Sequence, residues 1–167
     1  MTTLSLTGKV ALVTGGSKGI GRAIALAMAD NGAKVLIAAR DLVVAKEVAE
    51  SINSKGGVAS AARFDITDPK SCSALVEQCV SQYGQLDILV CNAAANQLAP
   101  ALETPADSWA KTIATELSGY FYCAQAAAKA MISHGSGAIV MVSANSSVVG
   151  YSDIVGTATA KGGVDHR

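Results

Sequence analysis

The chain has no excess of either charge. Thirteen Lys and Arg balance thirteen Asp and Glu in 167 residues, for a formal net charge of zero, so there is no electrostatic reason to propose nucleic acid as a partner. Clustered metal ligands are also missing. Cys72, Cys79, Cys91 and Cys123 form no C-x-x-C pair and stand beside no histidine cluster, which argues against a metal site or a disulfide framework; reduced, buried thiols are expected instead. His134 and His166 are isolated, with no serine or carboxylate partner suggested by pattern, and read as surface residues. No apolar run is long enough to cross a bilayer, and the first eight residues are too polar for a secretory leader, so no membrane partner is expected and the expected location is the cytoplasm. Linkers, internal repeats and low-complexity tracts are lacking. Aromatic residues are scarce, at 4%, whereas there are 16 glycines and many alanines, a composition suited to helices packed closely on a sheet. With half of its residues hydrophobic, the chain can bury one sizeable core, and residues 1–167 are expected to form a single domain.

What is present is concentrated between Lys9 and Gly21, which read K-V-A-L-V-T-G-G-S-K-G-I-G. The apolar run Val10 to Val13 fits a buried parallel strand. Three spaced glycines follow, directly ahead of an Ala/Ile/Leu-rich helical pattern. A strand, a glycine turn and a helix start make a site for phosphate, because the first-turn N–H groups have no intrahelical partner and the helix dipole is positive there. Gly15, Gly19 and Gly21 let the backbone turn tightly and a ligand come close.

The rest of the chain alternates in the same way. After the glycine loop, Ile20, Ala23, Ile24, Ala27 and Met28 recur at helical spacing until Asn31-Gly32. Lys34 to Ala39 is a second strand, so the connection is a right-handed crossover within a parallel sheet. Asp41 caps a helix with Leu42, Val43, Ala45, Val48, Ala49 and Ile52 at helical spacing, which stops at Gly56-Gly57. A third strand covers 58–64. Asp68-Pro69 opens a helix with Leu75, Val76, Cys79 and Val80 on its inner face, closed by Gly84. Leu86 to Cys91 is the fourth strand, followed by a loop of small residues. A long helix over 105–133 carries Leu117, Phe121, Ala124, Ala128 and Met131, more apolar surface than one sheet face needs, which points to a homo-oligomer contact; Trp109 is expected to pack this helix. Gly137 to Ser143 is the fifth strand, and a last helix begins near Thr157. Five strands alternating with helices predict an α/β, doubly wound parallel sheet of Rossmann type, with its ligand crevice at the strands' carboxyl ends.

At the end of the second strand stands Arg40. A carboxylate there would suit the ribose 2′-hydroxyl of NAD, whereas a guanidinium holds a 2′-phosphate through paired donors. With Lys18 in the glycine loop as a second cation, the cofactor expected is NADP(H).

The spacing T-G-x-x-x-G-x-G over Thr14 to Gly21 resembles the short-chain dehydrogenase/reductase family, and the resemblance extends along the whole chain. It implies cofactor contacts from Gly15, Ser17, Lys18, Gly19, Ile20 and Gly21, from Arg40, from Asp65 and Ile66 after strand three, and from Lys161. Asp65 corresponds to the carboxylate that accepts from the adenine amino group. Asn92-Ala93-Ala94 is similar to the family's N-A-G element, with alanine in place of the glycine. The family reduces carbonyls or oxidises alcohols: a tyrosine moves the proton, a lysine four residues on lowers its pKa, a serine bonds the oxygen, and an asparagine supports a water relay. Here T-A-T-A-K-G-G-V stands where Y-x-x-x-K-x-x-V is expected, so Lys161 matches and Thr157 replaces the tyrosine. An aliphatic alcohol is not an ordinary side-chain acid, whereas a phenol is. Tyr151, ten residues before Lys161, is not one turn away and is set aside. Counting from strand five selects Ser143, counting back from Gly150 selects Ser147, and Ser146 ranks behind them. E-L-S-G aligns with N-L-x-G, placing Glu116 at the asparagine, where an ion pair with Lys161 would favour charged lysine.

Family members continue well beyond Lys161, so the C-terminal part of their fold is absent here. A fragment, a truncated reading frame and a shortened variant remain three readings of that difference. The implied function is NADP(H)-dependent oxidoreduction of a small-molecule carbonyl or alcohol. The competing readings are a non-catalytic dinucleotide-binding fragment or pseudoenzyme that acts by association with a relative, and an inert product that barely folds.

Overall fold

A computed structural model describes residues 5–95 and 98–166. Five strands, β1 (Val10–Thr14), β2 (Lys34–Ala39), β3 (Val58–Arg63), β4 (Ile88–Cys91) and β5 (Ala138–Met141), alternate with helices α1 (Gly19–Asp30), α2 (Leu42–Asn53), α3 (Pro69–Tyr83), α4 (Ala106–Ile113), α5 (Gly119–His134) and α6 (Val155–Asp165). All strand pairs are parallel and the sheet order is β3-β2-β1-β4-β5. The chain therefore winds outward from β1 in one direction and, after α3, crosses to β4 on its other side. Between β1 and β4 the strand order reverses, which opens a crevice at their carboxyl ends.

Both faces of the sheet are buried because successive residues point to opposite sides. Val10 and Leu12 of β1, with Leu36 and Leu89, pack among Cys72, Leu75, Val76 and Cys79 of α3 and Tyr120, Cys123, Ala127 and Met131 of α5. Ala11 and Val13, with Val35, Ile37 and Val90, pack on the other side against α1 and α2. Helix starts are sealed as their sequences suggest. Asp41 accepts from the N–H groups of Val43 and Val44 at 3.1 and 3.3 Å, and Asp68 accepts from Lys70 N–H at 2.9 Å ahead of Pro69 in the first turn.

Three expectations are corrected by the packing. Helix α1 buries Gly21, Ala25 and Ala29, not the stripe through Ile20, Ala23 and Ala27; Ile20 is 66% exposed, because the start of α1 projects over the crevice and only small residues allow the helix close to the sheet. In α2, Val43 is exposed while Ala45, Val48, Ala49 and Ile52 are buried as expected. The long helix is not uniform: five residues, Ala114–Ser118, form a π turn between α4 and α5. The face buried after that turn is Tyr120, Cys123, Ala127 and Met131, whereas Phe121 is exposed.

The lower end of β1 is fixed by a side chain that pattern reading passed over. Asp87, just before β4, accepts from Val10 N–H at 2.8 Å, from Gln85 Nε2 at 2.7 Å and from Lys9 Nζ at 3.2 Å. It is only 5% exposed and ties β4 to β1 at the end opposite the crevice.

Candidate active site

The crevice is built by β1 and β4 together. Thr14, the last residue of β1, donates its hydroxyl to Val90 O at 3.3 Å and accepts from Asn92 N–H and Ala93 N–H at 3.0 and 3.3 Å. Asn92 returns the contact, its Nδ2 donating to the carbonyl oxygens of Thr14 and Gly15 at 3.2 and 3.3 Å. The glycine turn and the loop after β4 are thus locked to each other.

Two glycines in that turn have different tasks. Gly15 has φ +64°, and a Cβ on it would stand 2.8 Å from Ala93 Cα, so the turn requires the missing side chain for its own packing. Gly19 has φ +52°, and a Cβ there would meet nothing within 4 Å; the free space faces outward at the start of α1, where N–H groups lack intrahelical partners. Gly21 serves packing alone, since a Cβ would collide with Gly15 O and Asn92 Nδ2.

Above the turn lies a cleft of about 1040 Å³. Its walls include Gly15, Ser17, Lys18, Gly19, Ile20, Arg40, Asp65, Ile66, Asn92 and Ala93, which is every residue of the expected cofactor set except Gly21 and Lys161. Sequence reasoning missed Phe64, Thr67, Lys111 and Thr115, which also line it. Lys111 sits on α4 and looks in the sequence like any helical surface charge. Thr14 was visible only as the first letter of the glycine motif; the task of its hydroxyl was not. Asp65 Oδ1 accepts from the N–H and hydroxyl of Thr67 at 2.9 and 2.7 Å. Those two bonds hold its carboxyl below the usual range against the opposing effect of burial, and the Arg40 charge adds to them.

The expected catalytic residues lie outside that cleft lining. Thr157 is half-buried in the first turn of α6, one turn before Lys161. Lys161 is 5% exposed and Glu116, in the π turn, 1%. Their charged ends are 3.7 Å apart, so the ion pair expected from the sequence forms. The ammonium of Lys161 also donates to Val142 O at 2.8 Å and to Tyr120 Oη at 2.9 Å. Burial pulls the Lys161 pKa down, and the Glu116 carboxylate opposes this. Glu116 Oε1 accepts from Ala95 N–H at 3.1 Å, and Thr112 Oγ1 donates to Ala95 O at 3.1 Å, pinning the loop after β4 to the long helix.

The serines separate by hydrogen bonding. Ser147 donates to Ala144 O at 2.7 Å within a 3₁₀ turn, whereas the buried hydroxyls of Ser143 and Ser146 have no hydrogen-bond partner among the described residues. Ser143 directly follows Val142, whose carbonyl holds Lys161. Tyr151 is exposed and accepts from Asn145 Nδ2 at 2.8 Å. All four cysteines are free and buried, His134 is exposed, and among the described residues no group of three or more His, Cys, Asp or Glu could hold a metal ion. Among those residues, too, no helix is long and apolar enough to cross a membrane.

Comparison with known proteins agrees with this architecture. Residues 9–166 match the family described as short chain dehydrogenase. An uncharacterized oxidoreductase of Thermotoga maritima is 35% identical over 95% of this chain and 62% of its own length. The D-threitol dehydrogenase of Mycolicibacterium smegmatis is 36% identical over 95% of this chain and 61% of its own length. A Beutenbergia cavernae protein solved with NADP bound at low occupancy superposes with a TM-score of 0.89 and 35% identity, covering 96% of this chain and 64% of that one. The chain thus spans somewhat over three fifths of the length of these relatives.

Proposed function

The chain belongs to the short chain dehydrogenase family, and on that premise we propose that it is an NADP(H)-binding protein of oxidoreductase type whose site is set up for the cofactor and poorly set up for proton transfer. The observation that carries this reading is the cleft itself, in which the glycine turn, the Asn92-Ala93 loop and the cations Lys18, Arg40 and Lys111 converge. The open space at Gly19 fits a phosphate group brought against the start of α1. Arg40, at the end of β2, would pair with a 2′-phosphate. Asp65 and Ile66 would meet the adenine end, and Asn92 and Ala93 would pass their backbone beside the ribose.

NADPH, when bound, supplies the hydride for a carbonyl. This chain's own residues would have to orient the substrate oxygen and deliver a proton to it. Ser143, whose hydroxyl is uncommitted and which follows the Val142 carbonyl that holds Lys161, is the serine assigned to the first task. For the second, Thr157 offers an aliphatic hydroxyl where a phenol with a pKa of about 10 is the workable acid. Turnover of a small carbonyl or alcohol is therefore slow or absent, and the second reading, a dinucleotide-binding pseudoenzyme acting through association with a relative or a second copy, is favoured by Thr157 itself. The exposed Phe121 and Ile132 on α5 are available to such a contact. Four free thiols suit the reducing cytoplasm.

Calorimetric titration with NADPH and NADH, on the natural sequence and on Arg40→Ala, tests the proposal. NADPH is expected to bind about tenfold or more tighter than NADH, with the difference lost in Arg40→Ala, as suits loss of a charge-assisted pair worth about 1.5–3 kcal/mol. Binding of neither nucleotide, or equal binding of both, overturns it.

A further inference from the structure

Of the expected cofactor ligands, Gly21 and Lys161 stand outside the cleft lining, and the surroundings of Lys161 explain its place. Its ammonium has three N–H donors. Two are on neutral oxygens, Val142 O at 2.8 Å and Tyr120 Oη at 2.9 Å, and Glu116 Oε2 stands 3.7 Å away as the counter-charge. That buried carboxylate oxygen has no hydrogen-bond partner among the described residues, which leaves its charge to the lysine. Tyr120 and Glu116 are each 1% exposed, so neither swings out without opening the interface between α5, β5 and α6.

We propose that Tyr120 and Glu116 are the positioning residues of Lys161, holding its ammonium inward as a strut between α5, β5 and α6 and away from the cofactor cleft. Glu116 of the π turn and Tyr120 of α5, four residues apart, share one buried side of the helix. Glu116 also bridges, since Oε1 holds Ala95 of the loop after β4 while Oε2 faces Lys161. The other groups whose charge acts on the ammonium are Cys91 of β4 and Asp165 of α6; Cys91, Cys123 and Glu116 surround the Tyr120 phenol. Held by two hydrogen bonds and one buried counter-charge, Lys161 contributes neither to ribose binding nor to activation of Thr157.

Lysine acylation followed by mass spectrometry tests this without relying on the cofactor. Lys161 is expected to label at least tenfold more slowly than exposed Lys46 or Lys129, with NADPH making no difference. Glu116→Gln, which keeps the shape and removes the counter-charge, should move the pH midpoint of Lys161 labelling down and speed labelling several-fold. Tyr120→Phe should speed labelling at an unchanged fold, read by circular dichroism. A second arm rests on the NADP(H) reading: Lys161→Met should leave the NADPH affinity within about twofold of the natural sequence. Labelling of Lys161 as fast as Lys46, protection by NADPH, or an unmoved midpoint in Glu116→Gln overturns the proposal. If NADPH fails to bind at all, the cofactor reading falls while the labelling result still decides the strut. If Lys161→Met does not fold, labelling of the natural sequence decides alone.

Discussion

Gly15 and Gly19 sit four residues apart in one loop, both at positive φ, and the structure assigns them opposite sensitivities. A Cβ in the left-handed region costs roughly 1–2 kcal/mol, a cost shared by Gly15→Ala and Gly19→Ala. In Gly15→Ala the new atom also stands 2.8 Å from Ala93 Cα and 3.0 Å from Ala93 N. That neighbour is backbone, tied to Thr14 Oγ1 through Ala93 N–H, so it cannot yield cheaply, and overpacking adds about 1–3 kcal/mol. The sum is roughly 2–5 kcal/mol for Gly15→Ala against roughly 1–2 kcal/mol for Gly19→Ala. At about 2–4 °C per kcal/mol for a chain of this size, Gly19→Ala should lower Tm by a few degrees and Gly15→Ala by about twice as much or more. Cofactor binding reverses the order of importance at Gly19, whose added methyl occupies the open space assigned to phosphate. Its NADPH affinity should fall about tenfold or more, equivalent to about 1.4 kcal/mol. Thermal unfolding and NADPH calorimetry on the two variants read both quantities. Equal loss of Tm in both, or unchanged NADPH affinity in Gly19→Ala, would refute the division into a scaffold glycine and a cradle glycine.

Thr14→Val keeps the shape of the side chain but strands the N–H groups of Asn92 and Ala93, and should cost about 2–6 kcal/mol in urea unfolding at the rate of about 1–3 kcal/mol per orphaned group; a loss below about 1 kcal/mol would show that the crevice is held by other means. Asp87 predicts a pH dependence: burial would raise its carboxyl, but Val10 N–H, Gln85 and Lys9 outweigh burial and hold it below the ordinary value. A depressed folded-state pKa contributes stability above the unfolded value of about 4, and that contribution is lost as pH falls through the lower folded value. Unfolding free energy should therefore drop on acidification below about pH 4, and Asp87→Asn should flatten that decline; an identical acid limb in both proteins would contradict it. Thr157→Tyr alone should leave NADPH oxidation with a panel of small ketones and aldehydes at background, because Lys161 remains held by Tyr120 and Glu116; turnover from this single change would mean that the lysine turns outward.

The alternation of strands with helices and the cleft were legible in the sequence because their signals are local. A buried parallel strand shows as a short apolar run, a helix start as Asp41 or Asp68-Pro69, and the phosphate turn as fixed glycine spacing, none of which needs knowledge of distant residues. Arg40 and Asp65 were likewise placed by strand ends. Asp87 was not, because its partners Val10 and Lys9 are more than seventy residues away and a carboxylate before a strand has no pattern of its own. The rotation of α1 was misread for a different reason: Ile20 satisfies helical spacing, but the first turn of that helix overhangs the crevice, where there is no sheet to cover it.

Beside the inward lysine lies a backbone feature that hydrophobic periodicity cannot register. Continuing at 3.6 residues per turn from buried Ser108 leads along the long helix to Ala126 and Ala130, yet the residues buried there are Ala127 and Met131. The π turn at Ala114–Ser118 accommodates about one extra residue and rotates everything beyond it by the corresponding angle. The stripe read from the sequence held Phe121, which is exposed, and passed over Tyr120, which is buried against Lys161. The same slip keeps Glu116 buried one turn earlier and aimed at the same ammonium. Sequence spacing could pair Glu116 with Lys161, as two charges in matching motif positions. It could not supply the phenol that, with the carboxylate, decides which way the lysine points.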